Sequence, residues 1–274
     1  MSFPNQNPVG IFDSGVGGLT VFAEVKKLLP NESVFYLGDT ARVPYGSKSP
    51  DVIRRYSLAN VNLLMTLGVK AVVVACNTAS AAALSFVQNR FPNLEIIGVI
   101  EPVTEYLVTR PELKKIGIIG TNTTVASCAY QNALLKKRND LTVSAKSCPL
   151  FVPLVEEGFF NGEIVEKIID MYLSGMKKVS LDALVRGCTH YPMLRKAIFD
   201  YFGGKVEILD TAFYTAKKLA EVLAENSAGN PVFNADENGF CKESDRFFVT
   251  DSPDSFRATA ELFLGHKIEN VFHV

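Results

Sequence analysis

Charge of either sign is not in surplus in this 274-residue chain, where 28 basic residues stand against 29 acidic ones for a formal net charge of -1. No basic field exists to gather nucleic acid or anionic lipid, so neither is expected as a partner. No apolar run approaches the roughly 20 residues that cross a bilayer, and no membrane contact is expected. The N-terminus, MSFPNQNPVGIF, lacks the basic segment and long apolar stretch of a secretory signal, which makes the cytoplasm the expected compartment. Histidine is scarce (His190, His266 and His273), and no Cys-X-X-Cys pair occurs among the five cysteines. That leaves no ligand pattern for structural zinc, and no metal is expected. An odd number of widely spaced cysteines does not make a disulfide framework either.

What the chain does have is apolar sequence, 47% of its residues, enough for one large α/β unit or two ordinary domains. Short β-branched runs lead into helix-like segments: Val9–Phe12, Ser33–Leu37, Val69–Ala75, Glu95–Ile100, Lys115–Ile119, Leu181–Val185 and Val206–Leu209. This alternation predicts an α/β fold with parallel sheet covered by helices. In such sheets ligands bind beyond the carboxyl ends of the strands, and the unusual polar clusters of this chain sit at such ends. GIFDSGVGGLTV and VVVACNTAS are echoed later by GIIGTNTTVAS and ALVRGCTHYP. The echo fits two similar domains, or a chance likeness of two strand-turns. Toward the C-terminus, TAFYTAKKLAEVLAEN and SFRATAELFL read as helices, FFVTD as a strand, and SAGNPVFNADENGF as a surface loop.

Four clusters carry possible chemistry. Asp13-Ser14-Gly15-Val16-Gly17-Gly18 is a glycine-rich strand-to-helix turn whose backbone N–H groups suit a phosphate or a carboxylate. It matches no nucleotide fingerprint. Asp13 there is placed to hold an ammonium group, orient a thiol, or simply cap a helix. Gly38 to Gly46 is a turn in which Pro44, Tyr45 and Gly46 offer backbone donors and a phenol, or an ordinary loop. Cys76 (ACNT) and Cys188 (GCTH) each follow an apolar strand. A helix starting at either one would stabilise its thiolate and lower its pKa. One such cysteine suggests a nucleophile; two suggest inversion at carbon, with a base on one face and an acid on the other. His190 is placed to assist proton transfer or bind a carboxylate. Cys128 (in VASCAYQNALL, a helical pattern), Cys148 and Cys241 read as structural or incidental.

The segments GIFDSGVGGLTV, GDTARVPYG, ACNTAS, GVIEP, GTNTTV, CPLFVPLVEEG and GCTHYP, in this order over nearly the whole chain, resemble the glutamate racemases of the aspartate/glutamate racemase family. The resemblance implies an isomerase without a cofactor that interconverts L- and D-glutamate, supplying D-glutamate for peptidoglycan and so for cell-wall biogenesis and cell shape. It implies that Cys76 deprotonates D-glutamate and Cys188 L-glutamate, with Asp13, His190 and Glu156 supporting the thiols. Substrate would be held by Asp13, Ser14, Pro44, Tyr45, Gly46, Asn77, Thr78, Thr121, Thr189 and His190. The family fold implies two α/β domains facing each other across a cleft, residues 1–99 plus 211–274 on the Cys76 side and 100–210 on the Cys188 side. A homodimer is the expected assembly.

Two departures stand out. Arg186 occupies a position before GCTH that is usually apolar, and Asp210-Thr211 replaces Asp-Ser. A charge at the end of a buried strand needs an acidic partner or an exposed strand end. Three other readings remain: an aspartate racemase, a binding protein that does not turn its ligand over, and a thiol hydrolase using one cysteine alone.

Overall fold

The computed structural model describes residues 6–226 and 244–274. The strands are β1 (Val9–Asp13), β2 (Val34–Gly38), β3 (Ala71–Val74), β4 (Glu95–Gly98), β5 (Lys115–Gly120), β6 (Thr142–Ser147), β7 (Ala183–Gly187), β8 (Glu207–Asp210), β9 (Arg246–Val249) and β10 (Val271–His273). The helices are α1 (Leu19–Leu28), α2 (Pro50–Thr66), α3 (Asn77–Arg90), α4 (Ile100–Val108), α5 (Asn122–Ala126), α6 (Ala129–Lys137), α7 (Phe151–Glu156), α8 (Glu163–Val179), α9 (Arg195–Tyr201), α10 (Thr211–Glu225) and α11 (Pro253–Leu264).

The strands form two parallel sheets, ordered β10-β9-β2-β1-β3-β4 and β6-β5-β7-β8. The order β2-β1-β3-β4 in the first is repeated as β6-β5-β7-β8 in the second. The internal echo of the sequence is thus a repeat of topology. Asp13 closes the first strand of one repeat and Gly120 that of the other, while Cys76 and Cys188 each follow a third strand.

Both faces of each sheet are covered, which is why the strands read as continuous apolar runs. One face of the first sheet (Phe12, Leu37, Val72, Val74) packs with residues of α2 and α3, such as Ile53 and Val87. One face of the second (Ile119, Leu184, Ile208) packs with α7, α8 and α9. The other two faces share one core: Ile11 and Val73 of the first sheet and Ile118 and Val185 of the second join Val103 of α4 and Leu219 of α10. The helix α8 shows the physics plainly. Val165, Ile169, Leu173 and Met176 form a buried stripe at helical spacing, with Glu163 and Glu166 in the first turn and Lys177 and Lys178 in the last.

Several expectations change on inspection. The strand from Glu95 stops at Gly98, and Ile100 already belongs to α4. The edge strands β6 and β10 were not legible: β6, TVSAKS, is half-exposed and polar, and β10 is three residues long. The helical pattern around Cys128 is broken at that residue, which takes a left-handed conformation (φ 54) between α5 and α6. Cys241 and the loop expected over 227–240 lie outside the described residues.

Arg186 resolves in favour of a partner. Although only 1% exposed, it sits in register beside Asp210 on the neighbouring strand, and their side chains pair at 3.0 Å. Its other branch donates to the carbonyls of Tyr191 (3.3 Å) and Pro192 (2.9 Å), bracing the segment that follows Cys188. Asp210 also accepts from the Ala212 N–H at 2.9 Å, capping α10. Removing one partner of a buried pair strands the other charge, at a cost of about 3–5 kcal/mol. Asp210→Ala is therefore expected to lower the unfolding free energy by about that much. Arg186→Met fills the same space and leaves only a carboxylate with access to water, so it should cost less. Urea unfolding of the two variants ranks them, and the reverse order would refute the pairing account.

Candidate active site

The turn after β1 is built around a carboxylate with no access to solvent. Asp13 accepts the Gly15 N–H at 3.0 Å and is also held by the Gly18 N–H, and the Thr189 hydroxyl donates to its other oxygen at 3.4 Å. The helix α1 is preceded by Gly18 with no side-chain cap, so neither Asp13 nor Ser14 serves as the N-cap. The buried Tyr36 hydroxyl donates to the Gly15 carbonyl at 2.6 Å and fixes the turn from below. Burial raises the Asp13 pKa, while the charge on His190 and the bonds just described pull it back. Gly17 is required by space: a Cβ there would lie 2.4 Å from Thr189 Oγ1 and 2.5 Å from His190 Nδ1.

Cys76 is the N-cap of α3, and its sulfur accepts the Ala79 N–H at 3.5 Å. Its S–H donates to Ser14 Oγ at 3.8 Å. Cys188 does not begin a helix; a turn follows it, and a short 3₁₀ segment runs over Tyr191–Leu194. Its sulfur lies 4.0 Å from His190 Nδ1, and His190 Nε2 lies 3.0 Å from Glu156 Oε1. The expected lowering of both thiol pKa values is overturned. Burial pushes Cys76 up to about 12, with Asp13 adding to the rise and the Ala79 N–H opposing it. Burial likewise pushes Cys188 up, with the His190 N–H opposing and Cys76, Asp13 and Glu156 adding. Desolvation of a thiolate outweighs one helix terminus here.

The two thiols line one cavity of about 140 Å³. Ser14, Pro44, Tyr45 and Gly46 form its wall on one side, and Asn77, Thr78, Thr121, Thr189 and His190 continue it. Asp13 stands behind Ser14, and Glu156 behind His190, outside the lining. The Tyr45 phenol donates to Asp39 and accepts from Asn60 at 3.1 Å, while the residue itself lines the cavity. Thr78, Thr121 and Thr124 share a hydroxyl cluster at 2.9–3.3 Å that joins the two repeats. Asn77 Oδ1 accepts from Tyr130 at 2.5 Å, and Asn77 Nδ2 is buried with no protein partner. Sequence reasoning missed Val43, Ser47, Asn122, Pro149, Val152 and Pro153. Asn122 and Pro149 follow strand ends and were within reach of that rule, whereas Val152 and Pro153 lie on α7 and carry no polar signal. Among the described residues no group of three or more His, Cys, Asp or Glu side chains could hold a metal ion, and no helix is long and apolar enough to cross a membrane.

A cavity with a thiol from each of two repeated sheets and an array of neutral donors defines an α/β enzyme of the acid–base isomerase class. Residues 19–219 match the family model described as Asp/Glu/hydantoin racemase. A glutamate racemase of Geobacter metallireducens is 42% identical over 266 residues, covering 97% of this chain and 96% of its own. The solved glutamate racemase of Francisella tularensis, in complex with D-glutamate, superposes with a TM-score of 0.90 at 36% identity, covering 98% of each chain. That of Thermus thermophilus, in complex with beta-chloro-D-alanine, gives 0.87 at 41% identity, covering 99% of this chain and 98% of its own. The chain belongs to the aspartate/glutamate racemase family, on its glutamate racemase branch.

The raised thiols have a consequence for stability. Unfolded, each thiol returns to its ordinary value near 9; folded, Cys76 and the buried Cys148 stay protonated to about 12. Above pH 9 the unfolded chain holds fewer protons, so this contribution is complete below about pH 9 and is lost as pH rises toward 12. The urea midpoint of the wild type is expected to fall between about pH 8 and pH 10, and to fall less in Cys76→Ala/Cys188→Ala. Equal falls in the two proteins would contradict it.

Proposed function

We propose that this protein interconverts L-glutamate and D-glutamate by a two-thiol mechanism that needs no cofactor. The observation that carries the proposal is the pair of buried thiols, Cys76 and Cys188, that follow equivalent strands of the two repeats and line one cavity. One thiol first passes its proton to the neighbouring acceptor, Cys76 to Asp13 or Cys188 to His190; the thiolate so formed takes the proton from a substrate Cα held between the sulfurs, and the other thiol gives its proton to the opposite face. The net reaction gains and loses nothing, and the sulfurs exchange roles in the reverse direction. Cys76 acts on D-glutamate and Cys188 on L-glutamate. Glutamate as substrate is supported by the similarity to racemases of that name and to the Francisella enzyme solved with D-glutamate.

The α-proton is weakly acidic, so negative charge developing on the substrate needs fixed donors in a water-free site. Ser14, Thr78, Thr121, Thr189 and the unpartnered Asn77 amide are in the lining for that purpose. Burial holds both thiols in the neutral form; the substrate ammonium brings the positive charge that favours a thiolate, so base and substrate are activated together. Asp13 balances that ammonium beneath Cys76, and the His190–Glu156 pair performs the same office beside Cys188. The chain is organised as residues 1–99 with 211–274 on the Cys76 side and 100–210 on the Cys188 side. It works as a homodimer in the cytoplasm, where its D-glutamate feeds peptidoglycan.

In deuterated water without added cofactor, L-glutamate is expected to lose optical rotation while deuterium enters at Cα, followed by NMR. Cys76→Ala and Cys188→Ala should each lower racemisation by about 10²–10⁴-fold. Insensitivity to loss of either thiol would favour a one-cysteine hydrolase. Turnover of aspartate in place of glutamate would move the substrate to the sister branch, and no α-exchange with either would leave a binding protein.

A further inference from the structure

Tyr130 is wholly buried on α6 of the second repeat, yet its hydroxyl reaches Asn77 at the start of α3 in the first, at 2.5 Å. The phenol lies outside the cavity lining, and the mechanism above makes no use of it. Among the described residues the Asn77 oxygen is its hydrogen-bond partner. Space for the ring is provided by Gly187, where a Cβ would lie 3.0 Å from Tyr130 Cε2. Asn77 itself is 2% exposed, and its Nδ2 has no protein partner although the residue lines the cavity beside Cys76. A buried amide has two orientations. With its oxygen taken by the phenol O–H, its N–H₂ group is the end left for a ligand. Flipped, it would aim an oxygen at any incoming carboxylate.

We infer that Tyr130 is a positioning residue of this active site: it locks the Asn77 amide so that Nδ2 faces the substrate as a donor, and it does so across the two repeats. Buried as it is, the phenol keeps its proton: burial and the nearby charges of Cys188 and Asp210 all raise its pKa, so the donor persists across the working pH range.

The inference rests on the proposed racemase reading, and the test separates the two. kcat and KM for glutamate racemisation are measured for wild type, Tyr130→Phe, Asn77→Ala and the double variant. Tyr130→Phe keeps the ring that Gly187 accommodates, and Tyr130→Leu is a second variant without the donor should the first not fold by urea midpoint. A lost buried hydrogen bond predicts about a tenfold fall in kcat/KM for Tyr130→Phe. In the Asn77→Ala background the same substitution should cause no further fall, because the group it orients is gone. An unchanged kcat/KM in folded Tyr130→Phe, or a full additional loss in the Asn77→Ala background, overturns the inference and leaves the racemase reading standing. A wild type that does not racemise glutamate overturns both.

Discussion

How near the two sheets' loops can come to each other governs everything else in this molecule. Gly17 faces Thr189 and His190, and Gly46 faces Thr121, with no room for one further carbon: a Cβ at Gly46 would lie 2.7 Å from Thr121 Cβ. A methyl group at either place must push the repeats apart, because interiors at this density transmit strain rather than absorb it. Across this seam run the Thr20 hydroxyl to the Thr189 carbonyl (3.2 Å), the Thr123 hydroxyl to the Gly46 and Lys48 carbonyls (3.1 Å each), and the Thr78–Thr121 contact (2.9 Å). Each bond is modest alone. Together they fix the distance between strand ends that carry the two thiols, and geometry between reacting groups is where much of a rate is gained or lost.

The same closeness sets the electrostatics. A thiolate at Cys76 or Cys188 and a carboxylate at Asp13 are all penalised, and the first cause of each raised pKa is burial. A site made this way is poorly suited to holding charge when empty. It is suited to a substrate that carries its own positive charge, and to donors whose worth rises as the dielectric falls. Burial of neutral thiols in the resting protein and catalysis by one thiolate are therefore compatible, provided the ligand completes the charge balance.

The α/β class, eight of the ten strands to within a few residues, and the clustering of polar residues at strand ends were legible in the sequence because parallel strands covered on both faces leave unbroken β-branched runs. β6 and β10 were not, since an edge strand need not be apolar and three residues make no pattern. Within the site, Cys76, Cys188, Asn77, Thr78 and His190 stood out by following strands. The partners of the Tyr45 phenol, Asp39 and Asn60, were not legible because they are set by tertiary packing that no local motif encodes. Tyr130 stayed hidden for the same reason: its role comes from a contact 53 residues away in sequence. The direction of the thiol shifts was misjudged because a motif shows the helix that follows Cys76 but not the depth at which it is buried.

The two repeats share a topology but not a chemistry. Cys76 sits on a true helix terminus, with Ser14 and the Asp13 carboxylate near it. Cys188 sits on a turn and relies on His190, backed by Glu156, with the turn itself braced by Arg186. An acid–base pair that runs in both directions needs sulfurs of comparable basicity, since a large mismatch would stall one direction. In the proposed mechanism the two sulfurs are supported by unlike means on each side. Arg186 belongs to this argument: by pairing with Asp210 and holding the Tyr191 and Pro192 carbonyls, it gives the Cys188 turn a rigidity that α3 gives Cys76 without help. The departure from an apolar strand end is then a brace for the Cys188 turn that the Cys76 side does without.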